Sequence, residues 1–191
     1  MKQIKPVILS KFGPASLACI RSWGRQGMKV GMVCIQSSKE LHPRSRYLTD
    51  YVLLHNEDLY NDAGIAIVAN FLKTFQADGI TCITEKIACW LQDNKYKFPE
   101  RVSLWVPPKD VILNVLSKGR QIQAAQEANL TVLPTYVIES SNFNPSSIQS
   151  SHYPLCLRPS GDGMIKPDFK VKLLASPHAL RSFLNLSLIH I

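Results

Sequence analysis

The sequence predicts an α/β protein: a doubly wound, mostly parallel, Rossmann-like sheet followed by a smaller, partial α+β region. Three observations carry the prediction. Short apolar runs alternate with helical segments from residue 6 to residue 106. Most of the runs are apolar throughout, as strands covered on both faces require. Then Pro107 and Pro108 mark a change of style, after which come two helices and a pair of strands around a glycine-containing turn, the pattern of a hairpin. The expected boundaries are 1–106 and 107–191.

In order along the chain, residues 6–10 (PVILS) are a buried strand, and Gly13 and Pro14 break it. A helix over 15–26 places Leu17, Ile20 and Gly24 on one face and stops at Gly27. Residues 29–35 are the second strand, so the chain opens β-α-β with a right-handed crossover. A polar stretch over 36–49 leads to a third strand at 51–54. Asn61 or Asp62 can cap the next helix, in which Ile67, Val68, Phe71, Leu72 and Phe75 recur at helical spacing. Gly79 is expected to end that segment. Residues 80–83 are the fourth strand, 85–92 a helix, the stretch to Arg101 a basic loop, and 103–106 a short fifth strand. Beyond the prolines, a helix spans 109–116 and a second runs from a Ser117 cap to about 128. Residues 140–152 have the Ser/Asn-rich composition of a surface loop. Strands over 153–158 and 169–174 form the hairpin, and Ser176 caps a last helix.

Composition excludes several classes. With 191 residues, 46% hydrophobic and 19% charged, the chain has an ordinary globular make-up. No stretch approaches a membrane span, and the apolar run at the N-terminus is too short for a signal peptide. The five cysteines are scattered with no Cys-x-x-Cys pair, which argues against a metal site or disulfide framework and for a reducing cytoplasm. A net charge of +8 attracts polyanions, but the cations form no run and no aromatic-interleaved patch, so no nucleic-acid partner is expected. The first β-α turn, residues 11–17 (KFGPASL), has one glycine followed by proline where a dinucleotide fingerprint needs three glycines, and reads as a structural turn. The five histidines are isolated.

Two stretches bear on chemistry: Ser117, Lys118, Gly119 and Arg120 leading through Asn129 to Pro134, and residues 153–163 (YPLCLRPSGDG). A nucleotide triphosphate needs several cationic donors converging on its oxygens and a backbone able to fold over them. Lys118 opens a capped helix whose first amides also favour anions, Arg158 ends an apolar strand, and Ser160, Gly161, Asp162 and Gly163 form a small turn whose amides can line phosphates. In their order and spacing these stretches resemble the ATP-grasp nucleotide-binding fold, as in carbamoyl phosphate synthetase, biotin carboxylase and D-alanine–D-alanine ligase. The flavour is that of the predicted carboxylate–amine ligases, and the resemblance covers the chain to about Phe183. It implies that residues 1–106 are a preATP-grasp domain and 107–191 the first subdomain of the ATP-grasp fold. Ser117 stands where the family often has Asp, Asn129 where it has Gly, and Arg158 where many members have Lys.

The resemblance implies ATP and Mg2+ as cofactors and a small carboxylate as substrate. ATP would activate the carboxylate as an acyl phosphate, which an amine then attacks. Lys118 and Arg158 would hold the phosphates under the 160–163 loop. No catalytic residue and no metal ligand is expected within this sequence, because the family's Glu/Asn magnesium ligands fall later, in the missing C-terminal half. The chain therefore reads as an incomplete ligase that is inactive alone, its last residues, 185–191, resembling an arbitrary end. Thr84 and Glu85, at the carboxyl edge of the sheet, can touch substrate, or Thr84 can simply cap a helix. Arg46, with Arg44 in the long polar loop, can face an anionic substrate or be plain surface. Two other functions stay open: a non-catalytic nucleotide-sensing module, and a Rossmann-like binder of another small molecule.

Overall fold

Five of the apolar runs become the strands of one parallel sheet. The computed structural model describes residues 3–36, 42–136, 138, 143–159 and 169–187, and the chain divides into two compact units, Met1–Ile112 and Leu113–Ile191.

In the first unit, β1 (Pro6–Ser10), β2 (Val30–Gln36), β3 (Leu48–His55), β4 (Gly79–Cys82) and β5 (Ser103–Leu104) pair in the order β3-β2-β1-β4-β5, all parallel. The helices are α1 (Pro14–Arg25), α2 (Asp62–Thr74) and α3 (Glu85–Asp93). Strand alternation sends Val7, Leu9, Val33 and Ile35 into one core with Val68 and Leu72 of α2 and Leu91 of α3. Ile8, Met32 and Cys34 face the other way and join Ile20 of α1. Both faces of the sheet are thus covered, which explains why β1 and β2 are buried along their whole length.

Several boundaries differ from the sequence expectation. The third strand begins at Leu48 rather than 51, because it is the sheet edge and tolerates exposed Thr49 and Asp50. The basic loop holds a short 3-10 turn, Lys95–Lys97. α2 ends well before Gly79: Gln76 takes the left-handed turn (φ 57°), and Gly79 instead opens β4, where the Trp105 indole lies against it so closely that a Cβ would collide.

α4 (Lys109–Leu116) straddles the division between the units. The second unit then contains α5 (Lys118–Glu127), an antiparallel pair of β6 (Leu155–Leu157) with β7 (Lys172–Leu174), and α6 (Pro177–Ser187). Both strands are shorter than expected. Pro154 has no N–H to give a ladder, and pairing begins only at Leu155. The Ser/Asn-rich loop carries 3-10 turns at Pro145–Ser147 and Ser150–His152. Ile148, Leu174 and Leu180 form the buried centre, and the hydroxyl of Ser176 accepts from the amide of Ala179 to start α6.

Candidate functional site

In the first unit the chain leaves β1 toward β2 and β3 on one side and returns through α2 to β4 on the other. The carboxyl ends of β1 and β4 are therefore followed by connections that diverge, and a crevice opens there, where open α/β sheets take ligands. It is a cleft of about 340 Å³. The β1–α1 turn supplies Lys11 and the first turn of α1 Ser16, the β3–α2 loop supplies Asn56, Leu59 and Tyr60, and the β4–α3 junction with the first turn of α3 supplies Ile83, Thr84 and Lys86.

The turn that reads as structural in the sequence is held by one buried hydroxyl. Ser16 Oγ accepts from the Gly13 amide at 2.9 Å and lies 3.0 Å from the carbonyls of Lys11 and Gly13. Thr84 occupies the N-cap position of α3, but its side chain makes no capping hydrogen bond and lines the cleft instead. Glu85 is the first residue of α3, exposed, and not part of the lining. Behind the site, burial pushes the Cys82 thiol up to about 11, with the Glu85 charge adding to the shift and its hydrogen bond to the Thr84 carbonyl opposing it. Cys82 is thus a neutral thiol at physiological pH and no thiolate nucleophile.

Arg46 lies elsewhere. It precedes β3, at the amino-terminal edge of the sheet, whereas the cleft is at the carboxyl edge. Its guanidinium stacks over the Tyr47 ring at 4.8 Å and donates to Tyr47 Oη at 2.7 Å. That hydrogen bond, assisted by Arg25, holds the Tyr47 phenol below its ordinary value.

In the second unit, Ser117 Oγ accepts from the Arg120 amide at 3.2 Å and caps α5, the job an Asp would do at this position. Lys118, next in the chain, is exposed and donates to Gln121 Oε1 at 3.2 Å. Arg158 follows β6 directly, is exposed, and has no hydrogen-bond or ion-pair partner among the described residues. Ser160, Gly161, Asp162 and Gly163 lie outside the described residues, as do residues 188–191. Neither cation meets a carboxylate among the described residues. Among the described residues no three His, Cys, Asp or Glu side chains come together. Among the same residues no helix is long and apolar enough to cross a membrane.

Sequence reasoning singled out Thr84 at the cleft and left Lys11, Lys86, Asn56 and Tyr60 unassigned. These come from separate loops, and their meeting depends on strand order. The available signal was the position of each one just past a strand's carboxyl end.

An α/β unit followed by a capped helix and a hairpin is a fold found in the N-terminal part of several solved enzymes, among them a ligase, a synthetase and a carboxylase. The chain is similar to L-amino acid ligase from Bacillus licheniformis (17% identity, 97% of this chain and 43% of that one, TM-score 0.62). It is similar as well to N5-carboxyaminoimidazole synthetase from Staphylococcus aureus (16%, 97% and 45%, TM-score 0.67). A third likeness is to biotin carboxylase from Campylobacter jejuni, solved as a β,γ-ATP complex (15%, 97% and 41%, TM-score 0.69). The chain spans under half the length of each, and at these identities the likeness is one of fold. No family model and no curated protein matches the sequence.

Proposed function

We propose that this chain is the ATP-binding first part of an ATP-dependent carboxylate–amine ligase. Residues 1–106 would form the domain that precedes the ATP-grasp fold, and 107–191 its first subdomain. The observation that carries the reading is the pair Lys118 and Arg158, one at a capped helix start and one at a strand end. Both are exposed and meet no carboxylate among the described residues. Fold similarity over 97% of the chain to a ligase, a synthetase and a carboxylase supports the same class.

Lys118 and Arg158 neutralise and orient phosphate oxygens, Lys118 as a point charge and Arg158 with its planar fork. Bound ATP supplies the phosphoryl group that activates a carboxylate for attack by an amine. Ser160, Gly161, Asp162 and Gly163 would cover the phosphates, and the Mg2+ ligands would belong to the part of such a ligase that this chain does not span. Thr84 contributes to the substrate side. The five free cysteines suit a reducing cytoplasm.

Nucleotide titration tests the reading. Lys118→Ala and Arg158→Ala each weaken ATP binding by about 1.5–3 kcal/mol, roughly ten- to 150-fold in Kd. Unchanged affinity in both variants overturns it and favours the Rossmann-like binder, for which the cleft in the first unit speaks. Residues 1–191 alone do not turn over; steady ATP-dependent amide formation by them would sink that part.

A further inference from the structure

We propose that Arg25, Arg46 and Tyr47 form a phosphate site at the amino-terminal edge of the first unit's sheet, which takes the dianionic group of a phosphate monoester. The inference goes beyond the ligase reading and does not rest on it, since it uses no residue of the cleft and neither Lys118 nor Arg158.

The fold fixes the phenol. Tyr47 directly precedes β3, and its side chain lies so close to Gly24 of α1 that a Cβ there would collide with it. The ring also packs on the core of Ile8, Ile20 and Met32, so the hydroxyl is in place before any ligand arrives. Arg46 stacks on this ring and donates from Nη2 to Oη at 2.7 Å, and the guanidinium of Arg25, in the last turn of α1, lies beside the same phenol. Neither arginine meets a carboxylate among the described residues. Two full positive charges therefore gather at one neutral oxygen.

Helix capping does not account for Arg25. A cation in a last turn ordinarily serves the free carbonyls there, but those of Trp23 and Gly24 already accept from the amides of Gln26, Gly27 and Met28. The cluster is instead rich in donors: two planar forks, and a phenol O–H that meets no acceptor among the described residues. An oxyanion answers all three at once. The phenol is held below its ordinary value, chiefly by the Arg46 hydrogen bond, as a positive potential at this spot requires. Charge then selects the class. Two cations match a dianion, and the partial negative charge at the carboxyl end of α1, about half an elementary charge, removes only part of that attraction. Three donors from two elements suit the three terminal oxygens of a phosphate monoester better than the two of a carboxylate.

The test titrates methyl phosphate into the 191-residue chain at constant ionic strength, with acetate as control, and follows amide chemical shifts. Methyl phosphate is expected to shift residues 24–26 and 46–48 and to bind about tenfold or more tightly than acetate. Arg25→Gln and Arg46→Gln each weaken it about tenfold, and Tyr47→Phe about threefold. Lys29→Gln, which removes another cation from the same edge, leaves the affinity as it was. Equal binding of acetate, an equal loss in Lys29→Gln, or no shifts at those residues overturns the proposal. Should an arginine variant fail to fold, Tyr47→Phe decides: it keeps the ring on Gly24, and unchanged affinity in it overturns the site. The titration is repeated in a Lys118→Ala, Arg158→Ala double variant. Shifts at 24–26 and 46–48 persist there if the site is separate, and their loss overturns it. Vesicles containing phosphatidic acid carry the same group on a lipid. Tighter binding to them than to methyl phosphate, lost in Arg25→Gln, assigns the site to a headgroup, and binding of methyl phosphate alone assigns it to a soluble monoester.

Discussion

The two units reach their candidate sites by opposite routes. In the first, the sheet itself makes the site: β1 and β2 are buried along their length, and the cleft follows from where β1 and β4 end. In the second, Ile148, Leu174 and Leu180 are the buried apolar residues among those described, α5 buries none, and the two cations stand on the surface. A pocket built from strand ends is fixed by the core behind it, since shifting any wall means moving the sheet. Exposed cations on a small subdomain have no such core behind them. The first site should therefore be sensitive to packing and the second to charge.

The largest expected effect tests this separation. Leu72→Ala removes a fully buried side chain from the core of the first unit and should cost about 2–5 kcal/mol. Hydrogen exchange would show lost protection in β1, β2 and β4. Leu180→Ala opens the smaller core, and the loss should be confined to β7 and α6. If either variant loosens both units equally, they unfold as one and the contrast fails. Next comes Gly79→Ala, which sets a methyl against the Trp105 indole and should cost about 1–3 kcal/mol in the denaturant midpoint. Adding Trp105→Leu should recover part of that loss, because the indole is the obstacle.

Legibility in the sequence followed the same divide. α2 was clear because Ile67, Val68, Phe71, Leu72 and Phe75 keep helical spacing, and the parallel sheet was clear because its central strands are apolar on both faces. The first half of β3 was hidden by Thr49 and Asp50, which an edge strand can leave exposed, and the 3-10 turn at Lys95–Lys97 has no apolar period to announce it. Thr84 could be placed because it directly follows the fourth strand. Lys11 and Lys86 could not, since nothing local says that the loop after β1 and the start of α3 share a wall. That fact comes from strand order, the adjacency of β1 and β4. In the second unit, the departure at Asn129 from the family's usual glycine acquires a reason. Asn129 is left-handed (φ 56°), a conformation that Asn visits more readily than other side-chain-bearing residues do.

That residue gives the smallest effect. Three helices close in the same way, with the left-handed position filled by Gly27 (φ 77°), Gln76 (φ 57°) and Asn129 (φ 56°). In each, the next amide reaches back five residues: Met28 to the Trp23 carbonyl, Ala77 to Leu72, and Leu130 to Ala125. The backbone is the same and the side chain differs, so the penalty should rank Gln76 above Asn129 above Gly27. Gln76→Gly relieves left-handed strain worth about 1 kcal/mol and gives up the exposed hydrogen bond from Lys5 Nζ. A net rise in stability is expected, read at α2. Asn129→Gly should change stability by only a few tenths of a kcal/mol, because Asn already tolerates the turn, whereas Asn129→Ala should lose about 1 kcal/mol. If Asn129→Gly instead stabilises as much as Gln76→Gly, asparagine is strained there after all. The second unit would then resemble the first in carrying a helix exit that its sequence only tolerates.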